Sequence, residues 1–238
     1  HFAATLAVAC DPITMCETLG APPSLPPRDG WIRRLRGIRE EIARPHVHMV
    51  DDGVPFETVV DMVGRNLPAD AIVTVDAGTF AAPVYRVIPF RPPQRLLAPI
   101  SGAMGYGVPA AVAAALRWPD RLVVCFVGDG GFLMTGHELT VARERNLPLK
   151  VIVSENGSYA SIRIQQELHY PGRPSGTHVT NPDFDVLGRA YGFGVHRICT
   201  SADIDDMAGI LRAPGPEFIV VDTSLKAVLP RRAEAIPA

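Results

Sequence analysis

Residues 122–131 read LVVCFVGDGG: an unbroken apolar run that passes straight into a turn of glycines around one aspartate. A helix on a protein surface interrupts such a run with polar residues at its outward face, and a strand with one wet face alternates. A run that is apolar at every position reads as a strand buried on both faces, the condition of a central strand in a parallel sheet. Working outward, short apolar strands recur at residues 71–75 (AIVTV), 149–153, 194–198 and 217–222. Helical segments fall at 55–66, 105–116, 131–145, 184–191 and 202–211. Strand then helix, repeated, predicts a doubly wound α/β fold: a parallel sheet with helices on both faces and its ligand site at the carboxyl ends of the strands.

The rest of the chain bounds the possibilities. It has 238 residues, 47% hydrophobic and 20% charged, with a formal net charge of −2. This is too apolar for disorder and carries no basic excess for a nucleic-acid partner. No apolar stretch is long enough to span a membrane. Cys10, Cys16, Cys125 and Cys199 are scattered without a CxxC pair, which fits a reduced, cytoplasmic protein. Four segments are expected: 1–28, the tail of a preceding domain and a Pro-rich linker; 29–54, a connecting helix and linker; 55–230, the α/β domain; and 231–238, a C-terminal tail. Within the first, residues 2–10 suggest a short β-rich run, and Asp11-Pro12 opens a helix ending near Gly20. The chain starts at His1 without the basic region or cleavage site of a signal peptide, and reads like the middle of something longer: a fragment, a processed chain or one half of a split enzyme. Arg33, Arg34, Arg36 and Arg39 on the helix at 29–44 read as a solvated face, with a phosphate or acidic partner as the lesser alternative.

The chemistry concentrates at strand ends. At Gly128-Asp129-Gly130-Gly131 the glycines allow close backbone approach, and the free N–H groups of a helix start favour an anion such as phosphate. An aspartate there would repel phosphate unless it held a divalent cation bridging to it. Taken alone, GDG is equally a capped turn between strand and helix. The next strand ends in Ser154-Glu155-Asn156-Gly157-Ser158, with Asn156 following Asp129 by 27 residues, one helix plus one strand. Neighbouring parallel strands would set the Asp129 carboxylate and the Asn156 amide oxygen side by side, two hard oxygens suited to octahedral Mg²⁺. Alone, Asn156 is also a plain turn residue before Gly157.

GDG followed by Asn at this spacing resembles the diphosphate-binding motif of thiamine diphosphate-dependent enzymes. Residues 101–111 (SGAMGYGVPAA) resemble the segment that holds the cofactor's aminopyrimidine in the acetolactate synthase and pyruvate decarboxylase group. Residues 162–181 (IRIQQELHYPGRPSGTHVTN), with Asp183-Phe184, are similar to the acetolactate synthase-like branch. The resemblance covers about residues 55–230. It implies Asp129, Asn156 and the Ser158 carbonyl as Mg²⁺ ligands, and Gly128, Gly130 and Gly131 as backbone contacts to the diphosphate. Asp76-Ala77-Gly78-Thr79-Phe80 matches the family's other diphosphate loop, with Gly78, Thr79 and Phe80 lining it. Met104 would be the apolar wedge that bends the cofactor, though a methionine by itself is also ordinary core. The Gly102 carbonyl and the Met104 N–H would bond the aminopyrimidine edge, and Ser101, Tyr159 and Ala160 complete the cofactor contacts. Three departures stand out. Glu155 occupies a place where the family often has a second Asn, as an outer ligand or pointing to solvent. Ala160 replaces a frequent Gly. Gln165 stands where plant and fungal acetolactate synthases carry a Trp, so their preference for a larger second substrate is not implied.

The resemblance further implies an activating Glu from a pyrimidine-binding domain or subunit, contacting the aminopyrimidine and letting the thiazolium ionise; no catalytic residue is assigned in these residues. The active site would form between chains of a homo- or hetero-oligomer, and the chain alone would not complete it. FAD occurs in acetolactate synthases, but nothing in residues 2–19 supports it. The leading expectation is the C-terminal catalytic part of a thiamine diphosphate- and Mg²⁺-dependent 2-oxoacid decarboxylase/carboligase, acetolactate synthase-like, acting on a small 2-oxoacid as transferase or lyase. The alternatives are a simple or split two-subunit decarboxylase and a non-catalytic diphosphate-binding partner. A nicotinamide dehydrogenase is disfavoured because no GxGxxG lies between a strand and a helix. His46, His48 and His196 read as surface or structural; His178 and Asp183 fall in polar sequence. His137, in the first turn after GDG, is a lesser candidate to approach the cofactor. Residues 165–180, with Pro171, Gly172, Pro174 and Gly176, read as a loop that orders over the site, where Arg173 could meet an acidic substrate group.

Overall fold

The structure, a computed structural model, describes residues 3–21, 26–46 and 49–230. The chain divides into two units, His1–Glu41 and Ile42–Ala238, so the division falls inside the connecting segment assigned to 29–54. The first unit holds α1 (Pro12–Leu19) and most of α2 (Asp29–Ala43). The Asp11 side chain caps α1 by accepting from Ile13 N at 2.8 Å, and Gly20 ends it with a positive φ. Among the described residues of the 2–10 segment there is no strand, contrary to expectation; they are exposed, without a neighbouring strand to supply the hydrogen bonds a β ladder needs. His48 and residues 231–238 lie outside the described residues, as does part of the proline-rich linker.

The second unit is the expected doubly wound α/β fold. After α3 (Phe56–Asn66) come β1 (Ile72–Val75), α4 (Ala81–Val87), β2 (Arg95–Leu97), α5 (Gly107–Arg117), β3 (Val123–Gly128), α6 (Asp129–Thr135), α7 (Leu139–Glu144) and β4 (Leu149–Glu155). Then follow α8 (Ala160–His169), α9 (Phe184–Ala190), β5 (Gly194–Ile198), α10 (Met207–Arg212) and β6 (Glu217–Asp222). All six strands pair in parallel in the order β2-β1-β3-β4-β6-β5. The unbroken apolar runs are explained by two cores. Val124, Phe126, Ile152 and Ile219 face one cluster with α3, α4 and α10. Their alternating neighbours Val123, Cys125, Val151 and Phe218 face the other with α5 and α7.

Three elements escaped the sequence: β2, α4 and α8. β2 is a three-residue edge strand, too short for any period to show. α4 contains Pro83, which is tolerated because the first turn of a helix has no use for that N–H. The helix expected over 131–145 is broken by a 3-10 turn at Gly136–Glu138, where a Cβ on Gly136 would lie 2.6 Å from the Phe132 ring. The helix expected over 202–211 likewise starts as a 3-10 turn, Ser201–Asp206, opened by a Thr200–Asp203 capping box. Residues 165–169, read as loop, are the end of α8.

One charged side chain sits deep in this frame. Lys150 is 1% exposed, and its Nζ donates to the carbonyls of Ala213 (2.6 Å) and Gly215 (2.7 Å), pinning the turn between α10 and β6. Burial lowers its pKa, opposed by Glu217. Lys150→Met keeps the stem but orphans both carbonyls; urea unfolding should register a loss of about 2 kcal/mol.

Candidate functional site

The strand order reverses between β1 and β3. The chain leaves β1 for the edge through α4 on one face, and leaves β3 through α6, whose Phe132 packs on the other. The loops after these strands diverge and open a crevice at their carboxyl ends, the usual place for a ligand in such a sheet. A cavity of about 360 Å³ occupies it.

Each strand end contributes to its wall. After β1 come Gly78, Thr79 and Phe80; after β3, Gly128, Asp129, Gly130 and Gly131; after β4, Asn156, Ser158, Tyr159 and Ala160. Gly102 and Met104 come from the loop before α5. Thirteen of the fourteen residues expected around a cofactor are thus together. Ser101 is the exception: it is exposed and does not line the cavity. Ala77, Ser154, Ser161 and Ile162 also line it; the first two lie inside the quoted motifs without a role assigned to them, and the last two follow Ala160 without a signal of their own.

Asp76 holds the wall in place. It is fully buried, and its carboxylate accepts from Ala77 N (2.6 Å), Gly105 N (2.9 Å to Oδ2) and Gly107 N (3.0 Å). Burial raises its pKa, and these three N–H groups work against the rise. The loop carrying Gly102 and Met104 is therefore tied to the end of β1, and Thr135 Oγ1 ties it again by donating to Gly105 O at 3.0 Å. Met104 is 37% exposed at the cavity, outside both cores, so ordinary core packing does not account for it. Gly130 lies close beneath two side chains of the wall: a Cβ there would lie 2.6 Å from the Tyr159 ring and 3.3 Å from Met104 Cε, so both would have to shift.

Asp129 and Asn156 meet as their strands' adjacency demands, with Gly128 paired to Ser154 in register. Asp129 is 3% exposed, its Oδ2 accepting from Asn156 N at 3.1 Å and Gly157 N at 2.7 Å, its Oδ1 from Gly130 N at 2.8 Å. Asn156 Oδ1 accepts from Ser158 N at 3.0 Å, and the Ser158 carbonyl from Ala160 N at 2.8 Å. Asp129 Oδ1, Asn156 Oδ1 and the Ser158 carbonyl each retain a lone pair after these bonds. Together they would make a hard, all-oxygen donor set with one carboxylate, which suits Mg²⁺ rather than a softer metal. No group of three or more His, Cys, Asp or Glu able to hold a metal occurs among the described residues.

Glu155 neither points to solvent nor turns toward the cavity. Its Oε2 lies 3.0 Å from Arg197 NH1, and its Oε1 accepts from Asn181 Nδ2 at 3.3 Å. Arg197 also pairs with Asp185 and Asp222. Although burial works against its charge, its hydrogen bonds to Asp185 and Glu155 and the Asp222 charge hold it protonated more firmly than usual. The Cys199 thiol, hydrogen-bonded to Asp222, is pushed up to about 11. Asn181 was legible only as the end of a motif; its contacts join chain segments far apart in sequence.

The remaining candidates do not line this cavity. His137 is an exposed side chain beside Glu138 at 3.7 Å, and His196 pairs with Glu217 at 2.9 Å on the edge of the sheet. His46 sits with Glu57 and Arg86 at a second cavity of about 410 Å³, which shares Thr79, Phe80, Ser154 and Asn156 with the first. Residues 170–176 are fastened to α8 rather than free over the site. Gln166 exchanges hydrogen bonds with Ser175 (2.8 and 3.1 Å), and Glu167 accepts from Gly172 N at 2.8 Å. Arg173 is exposed outside the cavity wall, His178 forms a bridge with Ser158, and Asp183 caps α9.

Comparison with known proteins agrees with this architecture. Residues 76–221 match the family model described as thiamine pyrophosphate enzyme, C-terminal TPP binding domain. A probable 2-ketoarginine decarboxylase of Pseudomonas aeruginosa is 36% identical over 182 residues, 76% of this chain and 31% of that protein. The acetolactate synthase large subunit of Lactococcus lactis is 31% identical over 80% of this chain and 33% of its own length. Among solved structures, the thiamine diphosphate-dependent 4-hydroxybenzoylformate decarboxylase of Rhodococcus jostii RHA1 superposes with a TM-score of 0.68 at 27% identity, over 75% of this chain and 34% of that one. The chain spans about a third of the length of the relatives it matches. It belongs to the thiamine pyrophosphate enzyme family, with residues 76–221 as the C-terminal TPP-binding domain in an acetolactate synthase-like form.

Proposed function

We propose that this chain binds thiamine diphosphate through Mg²⁺ and serves as the diphosphate-binding part of a 2-oxoacid decarboxylase/carboligase, acetolactate synthase-like. The observation that carries this is the convergence of Asp129, Asn156 and the glycines of two strand-end turns on one cavity that Met104 also lines. Asp129 Oδ1, Asn156 Oδ1 and the Ser158 carbonyl would hold the metal. Gly78, Gly128, Gly130 and Gly131 let the backbone come close to a diphosphate. Met104 would support the bend of the cofactor, while Tyr159 and Ile162 would keep water from it. Bound thiamine diphosphate would supply the electron sink for the carbanion left when CO₂ departs. The activating Glu would come from a pyrimidine-binding domain or subunit, making the working enzyme an oligomer.

A simple decarboxylase is the second reading. It is favoured by the similarity to two proteins named as decarboxylases, one of them more identical to this chain than the acetolactate synthase above. A cytoplasmic location is proposed on the four free thiols. No helix among the described residues is long and apolar enough to cross a membrane.

Two measurements test this. Calorimetric titration of the chain with thiamine diphosphate should give binding with Mg²⁺ and none with EDTA; indifference to Mg²⁺ would refute the metal-bridged site. The chain alone should turn over no pyruvate. Supplied with a pyrimidine-binding partner, it should form acetolactate; acetaldehyde as the sole product would decide for the simple decarboxylase.

A further inference from the structure

The carboxylate of Asp129 is used unevenly. Oδ2 accepts three N–H groups: Asn156 N at 3.1 Å, Gly157 N at 2.7 Å and Asn181 Nδ2 at 3.0 Å. Oδ1 accepts one, from Gly130 N at 2.8 Å. A carboxylate oxygen offers about two lone-pair sites, so Oδ2 is saturated while Oδ1 keeps room for a ligand.

The Asn181 amide is held in this role from behind. It donates to Glu155 Oε1 as well (3.3 Å), and Glu155 Oε2 is anchored 3.0 Å from Arg197 NH1. Turning the amide over would set its oxygen against two carboxylates. As placed, Asn181 Oδ1 is buried and accepts no hydrogen bond, so the carboxylates dictate the orientation at the expense of the amide's own oxygen. Arg197, which Glu155 shares with Asp185 and Asp222, offsets part of the charge that Glu155 brings near Asp129.

Resting on the metal-bridged reading above, we infer that Asn181, braced by Glu155 and Arg197, is a positioning residue that restricts Asp129 to a single-oxygen ligand and so biases the site toward Mg²⁺ and against Ca²⁺. Mg²⁺ accepts one oxygen per carboxylate in a strict octahedron. Ca²⁺ gathers about six to eight oxygens and often takes both from a carboxylate. With Oδ2 occupied by N–H donors, the second oxygen is withheld from the larger ion. Removing the Asn181 amide takes the one side-chain donor from Oδ2 and leaves it to the N–H groups of Asn156 and Gly157 in a single turn, so the carboxylate is less firmly held and freer to turn both oxygens toward the larger ion.

The test is calorimetric titration of the full 238-residue chain, in the presence of thiamine diphosphate, with MgCl₂ and separately with CaCl₂. Wild type is compared with Asn181→Ala, Glu155→Gln and the double variant. Loss of an outer partner of a metal ligand typically weakens binding about 10–100-fold. Asn181→Ala should show that loss for Mg²⁺ and little for Ca²⁺, lowering the Mg²⁺/Ca²⁺ preference about tenfold or more. Glu155→Gln should shift the preference the same way by less, and add nothing once Asn181 is gone. A purely structural role would lower the melting temperature and weaken both ions alike, overturning the inference. So would independent, additive effects of the two substitutions. If Asn181→Ala does not fold, the preference of the milder Glu155→Gln decides. A wild-type chain that binds neither ion with thiamine diphosphate would overturn the metal-bridged reading itself, an outcome distinct from a wild type that binds and an Asn181→Ala whose preference is unchanged.

Discussion

Asp129→Ala should abolish Mg²⁺-dependent binding of thiamine diphosphate, a loss of more than about 100-fold, because two effects add. The substitution removes the only charged oxygen in the donor set, and an Mg²⁺ left with an amide and a carbonyl holds a diphosphate poorly. It also strips the acceptor from Asn156 N, Gly157 N and the Asn181 amide, so the turn that carries Asn156 loses its anchor. Asp129→Asn separates the two: it keeps the shape and one oxygen but no charge, and should retain more stability than affinity. Titration with and without EDTA, beside a thermal melt, reads both. Binding of the Ala variant at wild-type strength would remove Asp129 from the site.

Asp76→Ala should cost about 3–5 kcal/mol of stability, a large share of the roughly 5–15 kcal/mol that holds a domain together. The carboxylate lies fully buried and accepts from three backbone N–H groups, two of them from Gly105 and Gly107 across the gap to the next loop. Without it these donors are buried and unpaired, and no side chain nearby replaces the acceptor, since Thr135 bonds the carbonyl of Gly105 and not its N–H. The loop with Gly102 and Met104 would slacken, so affinity for thiamine diphosphate should fall together with stability. Asp76→Asn retains one acceptor oxygen and should recover part of both. Urea unfolding that shows a loss under about 1 kcal/mol for the Ala variant would mean that the glycine loop stands without Asp76.

These two aspartates differ in how openly the sequence displayed them. Asp129 was conspicuous, flanked by glycines at the end of an apolar strand and followed at one helix-plus-strand distance by Asn156. Asp76 begins the other motif but was legible only as its first letter. Its work is to accept N–H groups from residues about thirty positions on, a pairing no local pattern announces. Glu155 shows the same limit more sharply. Its position beside Asn156 left it as an outer ligand or a solvated charge. The outcome depended on Arg197 on β5 and Asn181 before α9, which only the packed sheet brings within 3.3 Å.

By itself the sequence determined the parallel sheet, the succession of most elements along the chain and thirteen of the residues around the cavity. It could do so because burial on both faces and glycine-rich strand ends are local demands, written in consecutive residues. Tertiary structure alone decided the edge strand β2, the breaks in the helices after β3 and β5, the exclusion of Ser101 from the cavity wall and the bracing of Asp129 through Asn181. The helix breaks turn on how a side chain packs a few residues away, such as the Phe132 ring against Gly136, while the strand and the brace rest on contacts between distant segments, a partner strand for Arg95–Leu97 and an amide shared by two carboxylates. Such contacts exist only once the chain has closed the loops between them, and that closure leaves no period or spacing in the sequence to be read.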